Sequence, residues 1–204
     1  NVIYICKTCQ NIDNEYFIYL GGTMSNIRLE KQLAFLQEID KTKQILRQTL
    51  IMDGSRREND AEHMWHASVA AFILEEYADK DIDISRVIKM LLLHDTIEVY
   101  SGDTYVYDAE GLATQHEREQ KAADKLFALL PEEQCAEFHA LWAEFEAEES
   151  NDAQFARSID SFMPMYHNYL TKGQLWQKNG VHEPNVRARL KLIHRASKAD
   201  RKSV

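Results

Sequence analysis

Glycine, proline and cysteine are scarce in this chain, which has 7, 3 and 3 of them among 204 residues. Such scarcity argues against a fold made of many short strands joined by tight turns. Apolar residues instead recur at steps of three and four along most of the sequence, as they do on the buried face of an α-helix. We therefore predict an all-α, compact single-domain fold without a convincing series of strands.

Long apolar runs and an excess of positive charge are also missing. No stretch stays apolar over the roughly 20 residues that a membrane-spanning helix needs, so we predict no membrane contact. The formal net charge of −9 disfavours the broad basic surface that binds nucleic-acid polymers, although a small anion can still bind locally. With 45% hydrophobic and 28% charged residues, the composition is that of an ordinary soluble globular domain.

The three cysteines are Cys6, Cys9 and Cys135, which cannot all pair within one chain. No cleavable signal peptide is visible, so a reducing cytoplasm fits these features best. Cys6 and Cys9 form a lone "CKTC", which is typical of half a zinc site or of a redox pair. No second Cys or His pair follows at the spacing of a zinc ribbon.

Residues 1–23 differ in character from the rest of the chain. They lack an initiator Met, end in Gly-Gly-Thr and precede Met24, where regular helical periodicity starts. We interpret 1–23 as an expression-derived or flexible leader and 24–204 as the folded domain.

The apolar periodicity predicts a series of helices separated by short polar segments. They cover 29–46, 61–78, 84–99, about 115–130, 132–148, 150–170 and a last segment that starts near 183. Asn59 or Asp60 is expected to cap the second helix, and Pro164 to bend the sixth. The third helix is apolar on most sides, so we expect it at the centre of the fold.

Polar residues interrupt this third helix in the segment "LLLHDTIEVYSGD", residues 91–103. His94 and Asp95 follow three leucines, and Glu98 and Asp103 come after them. Burying an unpaired carboxylate costs several kcal/mol, so these groups need a partner. On a continuous helix His94 and Glu98 lie four residues apart and share a face.

The second and sixth helices offer further groups of the same chemistry. His63 and His66 lie three residues apart on one helical face. Asp160 lies among apolar residues, either as a ligand or as the ion-pair partner of Arg157. A divalent metal ion accepts a mixed shell of imidazole and carboxylate and offsets the cost of burying the carboxylates. Taken singly, His63 or His66 is more simply read as a hydrogen-bonded core histidine.

The motifs "AEHMWH", "HDTIEVYSGD" and "RSID" resemble, in this order, those of the HD-domain metal-dependent phosphohydrolases. The resemblance is greatest to the small 5'-deoxynucleotidase-like branch, and it runs from about Arg56 to Arg189. It implies the helical HD-domain fold. The ligands that it implies for one divalent ion, whether Mn, Co, Fe, Ni, Zn or Mg, are His63, His94, Asp95 and Asp160.

The resemblance also implies roles for residues around the ion. Glu98 would act as the acid or base that works with the attacking water, and Asp103 would contact the sugar. Arg56 would help to hold the phosphate, and its neighbour Arg57 can bind phosphate oxygens in the same way. An Arg-Trp pair expected shortly upstream is absent; "LRQTLIM" stands there, with Arg47 slightly displaced.

The implied function is metal-dependent hydrolysis of nucleoside 5'-monophosphates, with deoxy forms favoured, by a homodimer. One alternative is another HD phosphohydrolase, which cleaves a nucleoside triphosphate or a cyclic diester. The other is a non-catalytic regulatory protein that binds nucleotide or metal. Glu98 discriminates between enzyme and regulator, because a binding protein does not need a proton-transfer residue.

Overall fold

The computed structural model describes residues 25–193, and the predicted helical class is confirmed there. The helices are α1 (Ser25–Ile39), α2 (Asp60–Leu74), α3 (Ile84–Leu93), α4 (Glu98–Ser101), α5 (Ala109–Phe127), α6 (Glu132–Ala147), α7 (Asn151–Leu170), α8 (Gln174–Lys178) and α9 (Glu183–Ile193). The predicted leader, with Cys6 and Cys9, lies outside the described residues. None of the helices from α1 to α9 combines the length and apolarity that crossing a lipid bilayer requires.

A two-stranded antiparallel hairpin follows α1, formed by β1 (Leu46–Leu50) and β2 (Arg57–Asn59). The prediction that the first helix would continue through Leu46 was wrong, because α1 ends at Ile39 and a short 3₁₀ turn follows. In β1, Leu46 is 53% exposed whereas Thr49 is buried. The spacing of its apolar residues resembles a helix, but pairing with β2 decides the local structure.

The hairpin leads directly into α2 through a capping box. The Asn59 side chain accepts a hydrogen bond from Glu62 N at 3.0 Å, and Asn59 N donates to Glu62 Oε2 at 3.3 Å. The predicted cap is therefore confirmed at Asn59. This junction fixes the start of α2, one turn before His63.

The third predicted helix is divided by a tight turn. It was expected to run from Ile84 to Val99, but α3 ends at Leu93 and α4 begins at Glu98. Thr96 explains the break, because its backbone N and its Oγ1 both donate to Leu93 O, at 3.0 and 2.7 Å. Hydrogen bonds to a carbonyl three residues earlier form a tighter turn than the four-residue hydrogen bonds of an α-helix. His94 and Glu98 are thus not one turn apart on a single helical face.

The core lies where α2, α3 and α7 pack against one another. Ala67 and Ala71 on α2 and Ala156 on α7 are fully buried, so their small side chains permit close packing of the helices. The long helix α7 runs from Asn151 to Leu170 with Pro164 in its interior. Helices α2 and α7 carry His63 and Asp160, and His94 lies at the end of α3.

Candidate active site

Three buried side chains from three elements meet at the centre of the molecule. His63 on α2, His94 at the end of α3 and Asp160 on α7 each offer a ligand atom, and these atoms lie within 4.8 Å of one another. Asp160 Oδ1 is 2.9 Å from His63 Nε2 and 3.4 Å from His94 Nε2. Packing of α2, α3 and α7 therefore determines this geometry.

Asp95 completes the cluster from the turn after α3. Its Oδ2 lies 3.1 Å from His94 Nε2 and 3.8 Å from His63 Nε2. The structure thus brings together all four side chains predicted as metal ligands. Two imidazoles and two carboxylates form a donor set that suits a divalent transition-metal ion.

His94 is oriented as a metal-binding histidine requires. Its Nδ1 lies 2.9 Å from Leu91 O, and a carbonyl only accepts hydrogen bonds, so Nδ1 carries a proton. Its Nε2 is buried, faces the carboxylates and has no hydrogen-bond partner among residues 25–193. A histidine whose second nitrogen is held by a carbonyl is the usual arrangement in metal sites. The orphaned nitrogen supports the fit of the cluster to a metal ion.

The cluster strongly shifts the ionisation of its members. Burial opposes the charged form of Asp160, but the hydrogen bond with His63 and the nearby imidazole of His94 more than offset it and hold the pKa well below its usual range. Burial lowers the pKa of His94, yet the Asp95 carboxylate raises it to about 10. A cation and a proton therefore compete for this imidazole.

Asp160 also has the ion-pair partner that the sequence offered as an alternative. Its Oδ2 lies 3.5 Å from Arg157 Nη1, while Arg157 Nη2 donates to Glu146 at 2.8 Å. One oxygen of Asp160 faces the imidazoles and the other faces Arg157. The two readings of this aspartate are therefore compatible.

Glu98 and Asp103 lie beside the cluster, and both line a cleft of about 390 Å³. Glu98 is 7% exposed, and its carboxylate is within 4.8 Å of ligand atoms of Asp60 and Asp95. Burial and these two neighbouring carboxylates raise the pKa of Glu98 well above its ordinary value. Burial also raises the pKa of Asp103. The cleft thus brings carboxyl groups with raised pKa values next to the predicted metal ligands.

The arginines lie differently from the sequence prediction. Arg56 is exposed and binds Glu62 with both guanidinium branches, at 2.8 and 2.7 Å. Neither Arg56 nor Arg57 is among the residues that line the cleft. Arg47 does line it, contacts Asp95 Oδ2 and lies 3.5 Å from Asp60 Oδ1. The alternation of strand β1 would have indicated that Arg47 and Thr49 face inward.

Comparisons with known proteins place these features in one family. A family model described as "HD domain" matches residues 39–200. The 5'-deoxynucleotidase HDDC2 of Bos taurus is 30% identical over 141 residues, which cover 68% of this chain and 67% of that protein. The Homo sapiens protein of the same name is 28% identical over 141 residues, covering 69% and 68%.

Solved structures show the same similarity. A predicted metal-dependent phosphohydrolase from Magnetospirillum magnetotacticum is 49% identical, with a TM-score of 0.82 over 86% of this chain and 88% of its own. An HD-domain phosphohydrolase from Listeria innocua, 16% identical, superposes with a TM-score of 0.59 over 79% and 78% of the two chains. The similarity to the Listeria innocua protein shows a common fold only.

Proposed function

Because the chain belongs to the HD-domain family of metal-dependent phosphohydrolases, we propose that it hydrolyses nucleoside 5'-monophosphates, deoxy forms in particular, to nucleoside and phosphate. The observation that supports this most is the convergence of four candidate ligand side chains beside a cleft that Glu98 and Arg47 also line. A small phosphate ester fits the size and polarity of this cleft.

His63, His94, Asp95 and Asp160 would hold one divalent ion in this proposal. Such an ion activates water at neutral pH and stabilises charge on phosphoryl oxygens. The nitrogen and oxygen donors favour Mn, Co, Fe, Ni or Zn over Mg, whose preferred ligands are oxygens.

Glu98 would transfer protons in the reaction. Its raised pKa favours the protonated form, which can donate a proton to the sugar oxygen that leaves. After this step the carboxylate can accept a proton from water. Asp103, on the same cleft, is proposed to contact the sugar hydroxyl.

Arg47 would bind the phosphate, in the role that the sequence assigned to Arg56 and Arg57. Its Nε is buried and has no hydrogen-bond partner in the described part of the chain, and its Nη1 contacts Asp95. A guanidinium at this point presents forked donors to phosphate oxygens close to the ion. The exposed ion pair of Arg56 with Glu62 lies outside the cleft lining, so it has no such access.

We also propose that residues 24–204 form one domain that assembles as a homodimer. Trp65, Val69, Phe72 and Ile73 form an apolar stripe on the outer face of α2, and all four are exposed. A second copy of the chain would cover this stripe. Sedimentation analysis of the wild type and of Phe72→Glu tests the assembly, since the charge should favour the monomer.

The test of the function is a phosphate-release screen of the metal-reconstituted protein. It compares ribo- and deoxynucleoside 5'-monophosphates, with deoxynucleoside 3'-monophosphates, nucleoside triphosphates and cyclic diesters as controls. We expect release from the 5'-monophosphates, fastest from the deoxy forms. Preferred cleavage of a triphosphate or a diester would assign the alternative enzyme activity, and binding without turnover would assign a regulatory protein.

A further inference from the structure

A second group of side chains that could hold a metal ion comes from the hairpin, α2 and α7. Glu58 on β2, His66 on α2 and His167 on α7 each offer one ligand atom, and these atoms lie within 4.8 Å of one another. None of the three side chains lines the cleft beside Glu98. The cluster is therefore separate from the space proposed for the substrate.

Two of these side chains are buried with polar atoms that have no hydrogen-bond partner. Glu58 and His167 are both 2% exposed. Glu58 Oε2 and His167 Nε2 have no partner among the described residues. A buried carboxylate oxygen and an imidazole nitrogen of this kind are costly to leave unsatisfied, so each of them favours a bound ligand. The closest approach of the two side chains is 3.9 Å, between Glu58 Oε1 and His167 Nδ1.

The orientation of His167 supports the same reading. Its Nδ1 lies 2.9 Å from Leu50 O on β1, so Nδ1 carries the proton and Nε2 keeps the lone pair. The hairpin carbonyl thus acts as an outer partner that fixes a histidine for coordination through the other nitrogen. The ring of His66 lies beside that of His167, with 5.4 Å between the ring centroids.

We propose that Glu58, His66 and His167 form a second metal site, for a zinc-like divalent cation. Two imidazole nitrogens and one carboxylate oxygen are a donor set that zinc accepts, with bonds of about 2.0 to 2.2 Å. Ligand atoms around a tetrahedral ion lie about 3.3 Å apart, so the three side chains need to close by no more than about 1.5 Å. His66 is only half-buried, so an ion and a water molecule as fourth ligand can enter from its side.

This ion would join the hairpin to α2 and α7. Glu58 Oε2 also lies 3.6 Å from His63 Nδ1, on the side of that ring away from Asp160. The same carboxylate thus faces both centres. If no ion binds, Glu58 serves only to orient His63, and His167 is an ordinary core histidine.

The test measures zinc per chain by equilibrium dialysis and elemental analysis of the full chain. The wild type should bind two ions, and His66→Ala should bind one. The affinity for the lost ion should fall more than about 100-fold. Loss of a hydrogen bond to a ligand, rather than of the ligand itself, usually has a smaller effect. His182→Ala is the matched control, because His182 is exposed in the segment before α9, outside both clusters. This control should retain both ions.

A complementary readout identifies which ion is lost. Cobalt-substituted wild type should show two sets of visible absorption bands, of which His66→Ala removes one and Asp160→Asn removes the other. His167→Asn provides a second test if His66→Ala does not fold. A wild type that binds one ion, unaffected by His66→Ala, would overturn the proposal. A single ion lost only in His66→Ala would instead support this site and contradict the proposed catalytic centre.

Discussion

At the scale of single residues, substitution of Glu98 distinguishes a role in proton transfer from a role in metal binding. Gln keeps nearly the same shape and hydrogen-bonding capacity but has no proton to transfer. We expect Glu98→Gln to retain ion and nucleotide while losing roughly 10²- to 10⁴-fold in turnover. Metal content, nucleotide affinity and single-turnover hydrolysis, measured on the same preparation, check this outcome.

Asp95→Asn is the comparison for Glu98→Gln. It removes charge from a proposed ligand, so it should lower metal content as well as turnover. Hydrolysis by Glu98→Gln at the rate of the parent would exclude a proton-transfer role for Glu98.

Arg47 and Arg56 form a second matched pair of substitutions. Arg47→Ala should lower kcat/KM for a nucleoside monophosphate by roughly 10²- to 10³-fold, because it removes a donor aimed at the phosphate. Arg56→Ala should leave kinetics nearly unchanged, since it breaks only an exposed pair with Glu62. Steady-state kinetics decide the assignment, and the opposite ranking would restore the role first predicted for Arg56.

Glu119 links pH to stability through a raised pKa. It is buried in the cleft wall, and burial raises its pKa from 4.5 to about 7. Between pH 4.5 and about 7, Glu119 holds a proton in the folded protein that it has lost in the unfolded chain. The free energy of unfolding therefore falls as the pH rises through this range. Glu119→Gln should therefore be more stable than wild type at pH 8, by on the order of 1 to 3 kcal/mol, and nearly equal to it at pH 4.

Glu117→Gln is the control for this effect, because Glu117 is exposed on the same helix and pairs with Lys121. Denaturant unfolding at several pH values gives the comparison. Parallel pH curves for wild type and Glu119→Gln would mean that Glu119 ionises normally.

At the scale of elements, the junction between the hairpin and α2 supports both stability and the site. Asn59→Ala should cost about 1 kcal/mol of unfolding free energy, because it removes the cap of α2. It should also weaken metal binding, since His63 lies one turn further along the helix. Asp83→Ala removes the comparable cap of α3 far from the hairpin, so it should cost stability alone. Unfolding curves and metal titrations of both variants separate the two effects, and equal metal affinity would contradict the link.

The differences between predicted and observed elements have local causes. The apolar spacing around Leu46 fits a helix and a strand almost equally well, and only pairing with β2 decides between them. In the third helix, a leucine-rich pattern continues past a break produced by the Thr96 hydrogen bonds to Leu93. Helical periodicity records which residues are buried, but it does not register a tight turn inside a buried segment.

The candidate site was more predictable than the elements that form it. His63, His94, Asp95 and Asp160 could be named because buried charged groups and motif order both single them out. The inward position of Arg47 depends on strand pairing, so helical reasoning could not find it. Glu58 and His167 meet only through tertiary packing, which no short spacing in the sequence signals.

At the scale of the whole molecule, bound metal should stabilise the fold. An ion present at about 1,000 times its Kd adds about 4 kcal/mol, so chelation should lower the Tm by about 10 °C. Manganese or cobalt should restore it. Asp160→Asn should show a smaller response, because one ligand is lost, and an unchanged melting curve with metal verified absent would contradict the effect.

The ligands of the candidate centre come from distant parts of the chain, since His63 and Asp160 are 97 positions apart. Closing a loop of this length is entropically costly, so the two residues meet only when α2 and α7 have already packed. If this packing follows the folding transition state, the ion has no complete site there. Its stabilisation falls mainly on the barrier to unfolding, so metal should lengthen the lifetime of the native protein without accelerating its formation.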